Sequence, residues 1–81
     1  MFICLHKNLN GEKSQRYFLN WSNAQASLDA DVKKTCKKYG GEIHNKVVDT
    51  SGNIWKYEVY AYLGEHGGCS WYLSEEYFED Q

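Results

Sequence analysis

Apolar and polar positions change rhythm twice along this chain, from a two-residue alternation to a helical period and back. "MFICLHK" alternates weakly and predicts a first strand, and Asn10-Gly11 within "NLNG" is a turn signal. "RYFLNW" predicts a second strand, with Tyr17, Leu19 and Trp21 on one face and Phe18 on the other. The two form a hairpin whose loop falls within residues 8–15. The period then lengthens. Ala24, Leu28, Val32, Cys36 and Tyr39 recur at helical spacing, flanked by Ala26 and Thr35. Ser22 with Gln25 three places on reads as a capping box, and Gly40-Gly41 can supply the left-handed residue that ends a helix. The pattern predicts a helix from about residue 23 to 39. Asp29 precedes Lys33 by one turn, and Lys33, Lys34, Lys37 and Lys38 gather where the helix dipole favours cations.

Period two then returns. "EIHNKVVDT", "IWKYEVYAYL" and "CSWYLS" predict three strands, separated by "TSGN" and "GEHGG". In the second, Trp55, Tyr57, Val59, Ala61 and Leu63 form the core-facing set, opposite Ile54, Lys56, Glu58, Tyr60 and Tyr62. In the third, Cys69, Trp71 and Leu73 oppose Ser70 and Tyr72. "EEYFEDQ" is a tail or a short terminal helix. The order ββαβββ predicts an α+β fold: a single domain over residues 1–81, one helix packed on a four- to five-stranded antiparallel sheet. One helix covers only one sheet face, so the other meets water, a second copy or a ligand.

Length and composition narrow the class. A chain of 81 residues has room for one domain with a limited core. A hydrophobic content of 42% excludes a disordered chain. His6, Lys7 and Asn8 interrupt "MFICL" short of a secretory h-region, and no run approaches a membrane span. Three widely spaced cysteines, Cys4, Cys36 and Cys69, argue against a disulfide framework and for a reducing cytosol.

The net charge of −2 conceals a polarity along the chain. Residues 1–46 carry Lys7, Lys13, Arg16, Lys33, Lys34, Lys37, Lys38 and Lys46 against Glu12, Asp29, Asp31 and Glu42, a balance of +4. Residues 47–81 carry Lys56 against Asp49, Glu58, Glu65, Glu75, Glu76, Glu79 and Asp80, a balance of −6. The acidic part is also aromatic, which bears on partners more than on fold.

No catalytic or cofactor motif stands out. Cys4-x-His6 and His66-x-x-Cys69 together hold two thiols and two imidazoles, but tetrahedral zinc sites use two closely spaced standard pairs. The plainer reading is a buried Cys4, a surface His6 and a turn His66, with no metal or other cofactor. Cys69 beside His66 lacks the helix N-terminus and oriented base that activate a thiol. Gly64, Gly67 and Gly68 lie in a strand–loop–strand context with Glu65 among them, unlike a phosphate loop. The chain therefore reads as a non-enzyme.

Two surfaces remain. Lys33, Lys34, Lys37 and Lys38, with ring stacking by Tyr60, Tyr62 and Tyr72, suit a single-stranded nucleic-acid binder. The acidic balance weighs against it. At the C-terminus, Glu75, Glu76, Glu79 and Asp80 would form one acidic side of a helical turn, with Tyr77 and Phe78 toward the fold or a partner. Together with Tyr60, Tyr62 and Tyr72, these residues predict a docking surface for a basic protein groove, because rings supply contact area and carboxylates steer encounter. A homodimer would cover the same rings.

In its size, its single helix beside the meander "IWKYEVYAYL" and "CSWYLS", and its acidic-aromatic end, the chain resembles small phage-encoded proteins that disarm bacterial defences, the anti-CRISPR type among them. The resemblance covers the whole chain as architecture and matches no diagnostic motif. It implies a stoichiometric inhibitor in the host cytoplasm that binds a nuclease or its guide complex. An immunity protein that neutralises a toxin would show the same surface.

Overall fold

In a computed structural model that describes residues 1–49 and 56–77, the two N-terminal segments form β1 (Phe2–Leu9) and β2 (Glu12–Phe18). They pair antiparallel with Leu9 opposite Glu12, so Asn10 and Gly11 alone make the turn. Both take positive φ, 48° and 97°, which gives the twist that a two-residue hairpin needs. The Asn8 side-chain oxygen accepts from the Gly11 amide at 2.8 Å. The loop is thus shorter than residues 8–15, and β2 starts earlier than "RYFLNW" suggests. Its early positions are polar because β2 is a sheet edge, exposed from Glu12 through Tyr17. Leu19 falls beyond β2, and Trp21 opens the helix instead of extending the strand.

The helix α1 spans Trp21–Tyr39. Asn20, with extended backbone, is its N-cap and accepts from the Asn23 amide at 2.9 Å. This displaces the expected Ser22 cap, because an Asn side chain serves the same role two residues earlier. Ala24, Leu28, Val32 and Thr35 are buried; Cys36 and Tyr39 pack at the margin, and Ala26 is exposed. Gly40 takes φ 66°, and the Gly41 amide donates to the Cys36 carbonyl at 2.9 Å, which closes the helix as predicted.

Three strands follow: β3 (Glu42–Asp49), β4 (Lys56–Tyr62) and β5 (Gly68–Glu76), with a 3₁₀ turn at Gly64–His66 between the last two. All neighbours pair antiparallel in the order β2-β1-β5-β4-β3. The first and last strands therefore lie side by side, and α1 carries the chain from one sheet edge to the other. At about 1.5 Å per residue the helix is long enough to cross four inter-strand gaps of about 4.8 Å. The fold is α+β, one helix on a five-stranded antiparallel sheet. Among the described residues no helix is long and apolar enough to cross a membrane.

The alternation in β4 and β5 sorts their side chains as expected. Tyr57, Val59, Ala61, Leu63, Cys69, Trp71 and Leu73 are buried with Ile3 and Leu5 of β1 beneath Ala24, Leu28 and Val32. Ile54 and Trp55 lie outside the described residues. Trp71, on the middle strand, is essentially inaccessible, and its indole N–H donates to Asp31 Oδ2 at 2.8 Å. The Lys7 ammonium meets the same oxygen at 2.7 Å and donates to the buried Thr35 hydroxyl at 3.2 Å. Tyr57 donates its phenol proton to Asp29 Oδ1 at 2.6 Å. The two acids of α1 thus fasten the helix to three strands' worth of sheet.

These contacts tie stability to pH at both extremes. Burial alone would raise the Asp31 carboxyl, but hydrogen bonds from Lys7 and Trp71 and the charges of Lys7 and Lys34 hold it below the usual aspartate value. Its contribution is therefore present above the ordinary carboxylate range and lost as pH falls through the lowered value. Burial first, then the Asp29 hydrogen bond and charge, pushes the Tyr57 phenol up to about 12. That contribution is complete below pH of about 10 and is lost as pH rises through about 12. Asp31→Asn should cost about 1 kcal/mol at neutral pH. In urea titrations the gap to the wild type should narrow as pH falls from neutral through the lowered titration of this carboxyl. An undiminished gap in acid would contradict the assignment.

Candidate functional site: the uncovered sheet face

With α1 on one side, strand alternation and register assign the other side of the sheet. From β2 and β1 come Gln15, Tyr17, Cys4 and His6; from β5 come Tyr72, Ser74 and Glu76. From β4 and β3 come Glu58, Tyr60, Tyr62, Glu42 and Val47. Tyr17, Tyr60, Tyr62 and Tyr72 are 51%, 41%, 56% and 44% exposed, so all four rings are within reach of a partner. The expected placement of Tyr60, Tyr62 and Tyr72 on an uncovered face holds, and Tyr17 joins them.

The rings are seated by their neighbours. Tyr60 lies over Gly68 so closely that a Cβ at that glycine would collide with its phenol. It also meets the His44 ring edge-on, with centroids 6.1 Å apart. Tyr72 stacks on His6 with centroids 4.2 Å apart and planes 6° from parallel. A hollow of about 350 Å³ opens beside this stack, lined in part by Asn8, Lys13, Gln15 and Ser70.

His6 anchors a directional chain of hydrogen bonds. Gln15 Nε2 lies 3.3 Å from His6 Nδ1, and an amide nitrogen can only donate. His6 Nδ1 is therefore the acceptor, and Nε2 carries the proton, donating to Ser74 Oγ at 2.7 Å. The Ser74 hydroxyl donates in turn to Glu76 Oε1 at 3.1 Å. Glu76 Oε1 stands 3.7 Å from His6 Nε2. Cys4 lies beneath, fully buried and hydrogen-bonded to the Tyr17 phenol. His6 is thus half-buried and engaged, not the surface group that the sequence suggests.

Other expected groupings do not form. Glu75 and Glu76 belong to β5, where they pair with Ile3 and Phe2 and point to opposite sides of the sheet. The helical turn with one acidic side is replaced, at these positions, by continued strand, because β1 offers free backbone partners. Tyr77 is exposed and donates to Glu75 Oε2 at 2.8 Å instead of turning toward the core. Phe78, Glu79 and Asp80 lie outside the described residues. Cys4, His6, His66 and Cys69 do not converge. Cys69 faces α1 beside Trp71, Cys4 and His6 face the other way, and His66 packs against Tyr39 at 5.0 Å between ring centroids. Lys33, Lys34, Lys37 and Lys38 are exposed on α1, across the sheet from the tyrosines.

Folding converts the charge polarity of the chain into one of faces. The α1 side gathers Lys7, Arg16, Lys33, Lys34, Lys37, Lys38 and Lys46 against Glu12, Asp29, Asp31 and Glu75. The uncovered side holds Lys13 and Lys56 against Glu42, Asp49, Glu58 and Glu76.

The fold and this face define a small α+β protein with one sheet side covered and one open, tyrosine-rich and acidic. Comparison with known protein families, with curated proteins and with solved structures finds no match to this chain.

The two buried cysteines, Cys4 and Cys69, are held as thiols. Burial pushes Cys69 up to about 11; Lys7 lowers it less than burial raises it, and Asp31 and Cys36 add to the rise. Burial, then the Glu76 charge, raises Cys4 against a smaller lowering by the Tyr17 hydrogen bond. Native-state alkylation at neutral pH, mapped by peptide mass spectrometry, should therefore modify the half-buried Cys36 first and leave Cys4 and Cys69 until unfolding. Rapid labelling of Cys69 in the folded protein would contradict this.

Proposed function

We propose that this chain is a non-enzymatic binding protein that presents its uncovered sheet face to a basic protein surface. In this reading it is an inhibitor of a nucleic-acid-handling host complex, of the anti-defence kind that its architecture resembles. The observation that carries the reading is the set of four exposed tyrosines on one face, edged by Glu42, Glu58 and Glu76. Tyrosine offers a large contact area with few rotatable bonds, and its phenol bonds at a wet rim. Carboxylates around such rings speed and orient encounter with a cationic groove. The acidic contribution comes from strand residues on the open face, with Glu76 among them and Glu75 on the other side.

The location of the helix lysines favours this reading over nucleic-acid binding. Lys33, Lys34, Lys37 and Lys38 are separated from the tyrosines by the whole thickness of the sheet, so one strand of nucleic acid cannot stack on the rings and meet those lysines together. An immunity protein that captures a toxin would use the same face, and the identity of the partner distinguishes the two.

The test is a captured partner measured against two variants. Replacing Tyr60, Tyr62 and Tyr72 with Ser should weaken binding at least about thirtyfold, as hot-spot rings do. Replacing Glu58 and Glu76 with Gln should mainly slow association and flatten its salt dependence. If the tyrosine variant binds as the wild type does, while Lys33, Lys34, Lys37 and Lys38 prove essential for oligonucleotide binding at low salt, the docking reading fails.

A further inference from the structure

We propose that Cys4, His6 and Glu76 form a zinc-binding site whose fourth coordination position opens onto the uncovered sheet face. The site needs no part of the docking reading. Cys4 and His6 are two residues apart on β1, so their side chains share a face. On β5, Ser74 lies opposite Cys4 and Glu76 opposite Phe2, which sets the Glu76 carboxylate diagonally beside the thiol on that same face. One ligand atom from each of the three residues lies within 4.8 Å of the other two. His6 Nε2 and Glu76 Oε1 are 3.7 Å apart. Tetrahedral zinc bonded at about 2.0–2.3 Å holds its ligand atoms roughly 3.3–3.7 Å from one another, so closing the site takes side-chain shifts on the order of 1 Å.

The donor set selects the metal. A thiolate with an imidazole and a carboxylate suits zinc, whereas calcium and magnesium take oxygen ligands. The Ser74 hydroxyl bridges His6 Nε2 and Glu76 Oε1, the two atoms that a metal would join. Zinc on Nε2 shifts the imidazole proton to Nδ1, and Gln15 can then turn its amide to accept that proton's hydrogen bond, an outer partner that fixes the ring. Cys4 is buried, while His6 and Glu76 are half-buried, so one side of the site is dry and the other is reachable. The Cys4 proton leaves as zinc binds: Zn²⁺ plus the thiol gives a zinc–thiolate and one released proton. The bound metal would clip the first strand to the end of the last, and its open position would take water or a donor atom from a bound molecule.

Cobalt(II) titration of the full chain, followed by zinc competition, tests the site. The expected result is one equivalent bound with a thiolate-to-cobalt charge-transfer band and displacement by zinc. Affinity should rise about tenfold per pH unit in the neutral range, as release of one proton requires. Cys4→Ser should abolish the band and Cys36→Ser should keep it. Glu76→Gln, a change at a solvent-reaching position, should weaken binding about tenfold or more. That variant decides the matter if Cys4→Ser does not fold. Absence of the band in the folded wild type, a band that depends on Cys36, or undiminished affinity in Glu76→Gln would each overturn the proposal and leave a hydrogen-bond network only.

Discussion

A single helix of 19 residues has five strands to cover, and it can cover them from one side only. Everything else follows from how that one contact is made. Trp71 sits on the central strand, buried by Leu28 and its neighbours, and its one polar atom must find a partner or cost free energy. Asp31 supplies that partner, and Lys7 from the adjacent strand balances the carboxylate. The apolar stripe gives the attraction, while the indole, carboxylate and ammonium fix where along the sheet the helix lies. With the helix placed, nothing among the described residues covers the opposite face. The residues there are accordingly tyrosine, histidine, serine and glutamate, which tolerate water on one side and packing on the other.

The polarity of the molecule has the same origin. Among the described residues each side carries four acids, but basic residues cluster on α1 and on strand positions beneath it, which leaves the open side with a negative balance. A helix that needs solubility on its outer surface can carry lysines without cost, and its C-terminal turn favours them. The open face is left with a net negative edge and a set of flat rings, so the two sides of the molecule differ in what they can attract.

The elements that could be read from the chain were those whose signal is local. The stripe Ala24, Leu28, Val32 closes at Gly40, and the large apolar residues of β4 and β5 alternate cleanly with polar ones. What stayed hidden was set by partners far away in sequence. β2 is polar along most of its length because it is an edge, so alternation hardly marks it. Glu75 and Glu76 join a strand against their own preference because Ile3 and Phe2 present a ladder for them. The pairing of β1 with β5 has no local signature, and it brings Cys4 and His6 together with Ser74 and Glu76, while the hairpin pairing of β1 with β2 adds Gln15. Tyr60, Tyr62 and Tyr72 were legible as a face because they alternate with residues that are plainly core. In the sequence Asp29 shows only as a helical partner for Lys33 and Asp31 only as part of the charge balance, because nothing local tells an acid in water from one that holds an indole or a phenol.

Which rings the helix hides decides everything else about the two faces of the sheet. Photochemically induced nuclear polarisation of the tyrosines, recorded on protein shown to be monomeric by sedimentation, reads this directly. Tyr17, Tyr60, Tyr62 and Tyr72 should give strong signals and Tyr57 should stay dark. A bright Tyr57 with dark Tyr60, Tyr62 and Tyr72 would mean that the helix lies on the other face, and the account would be wrong.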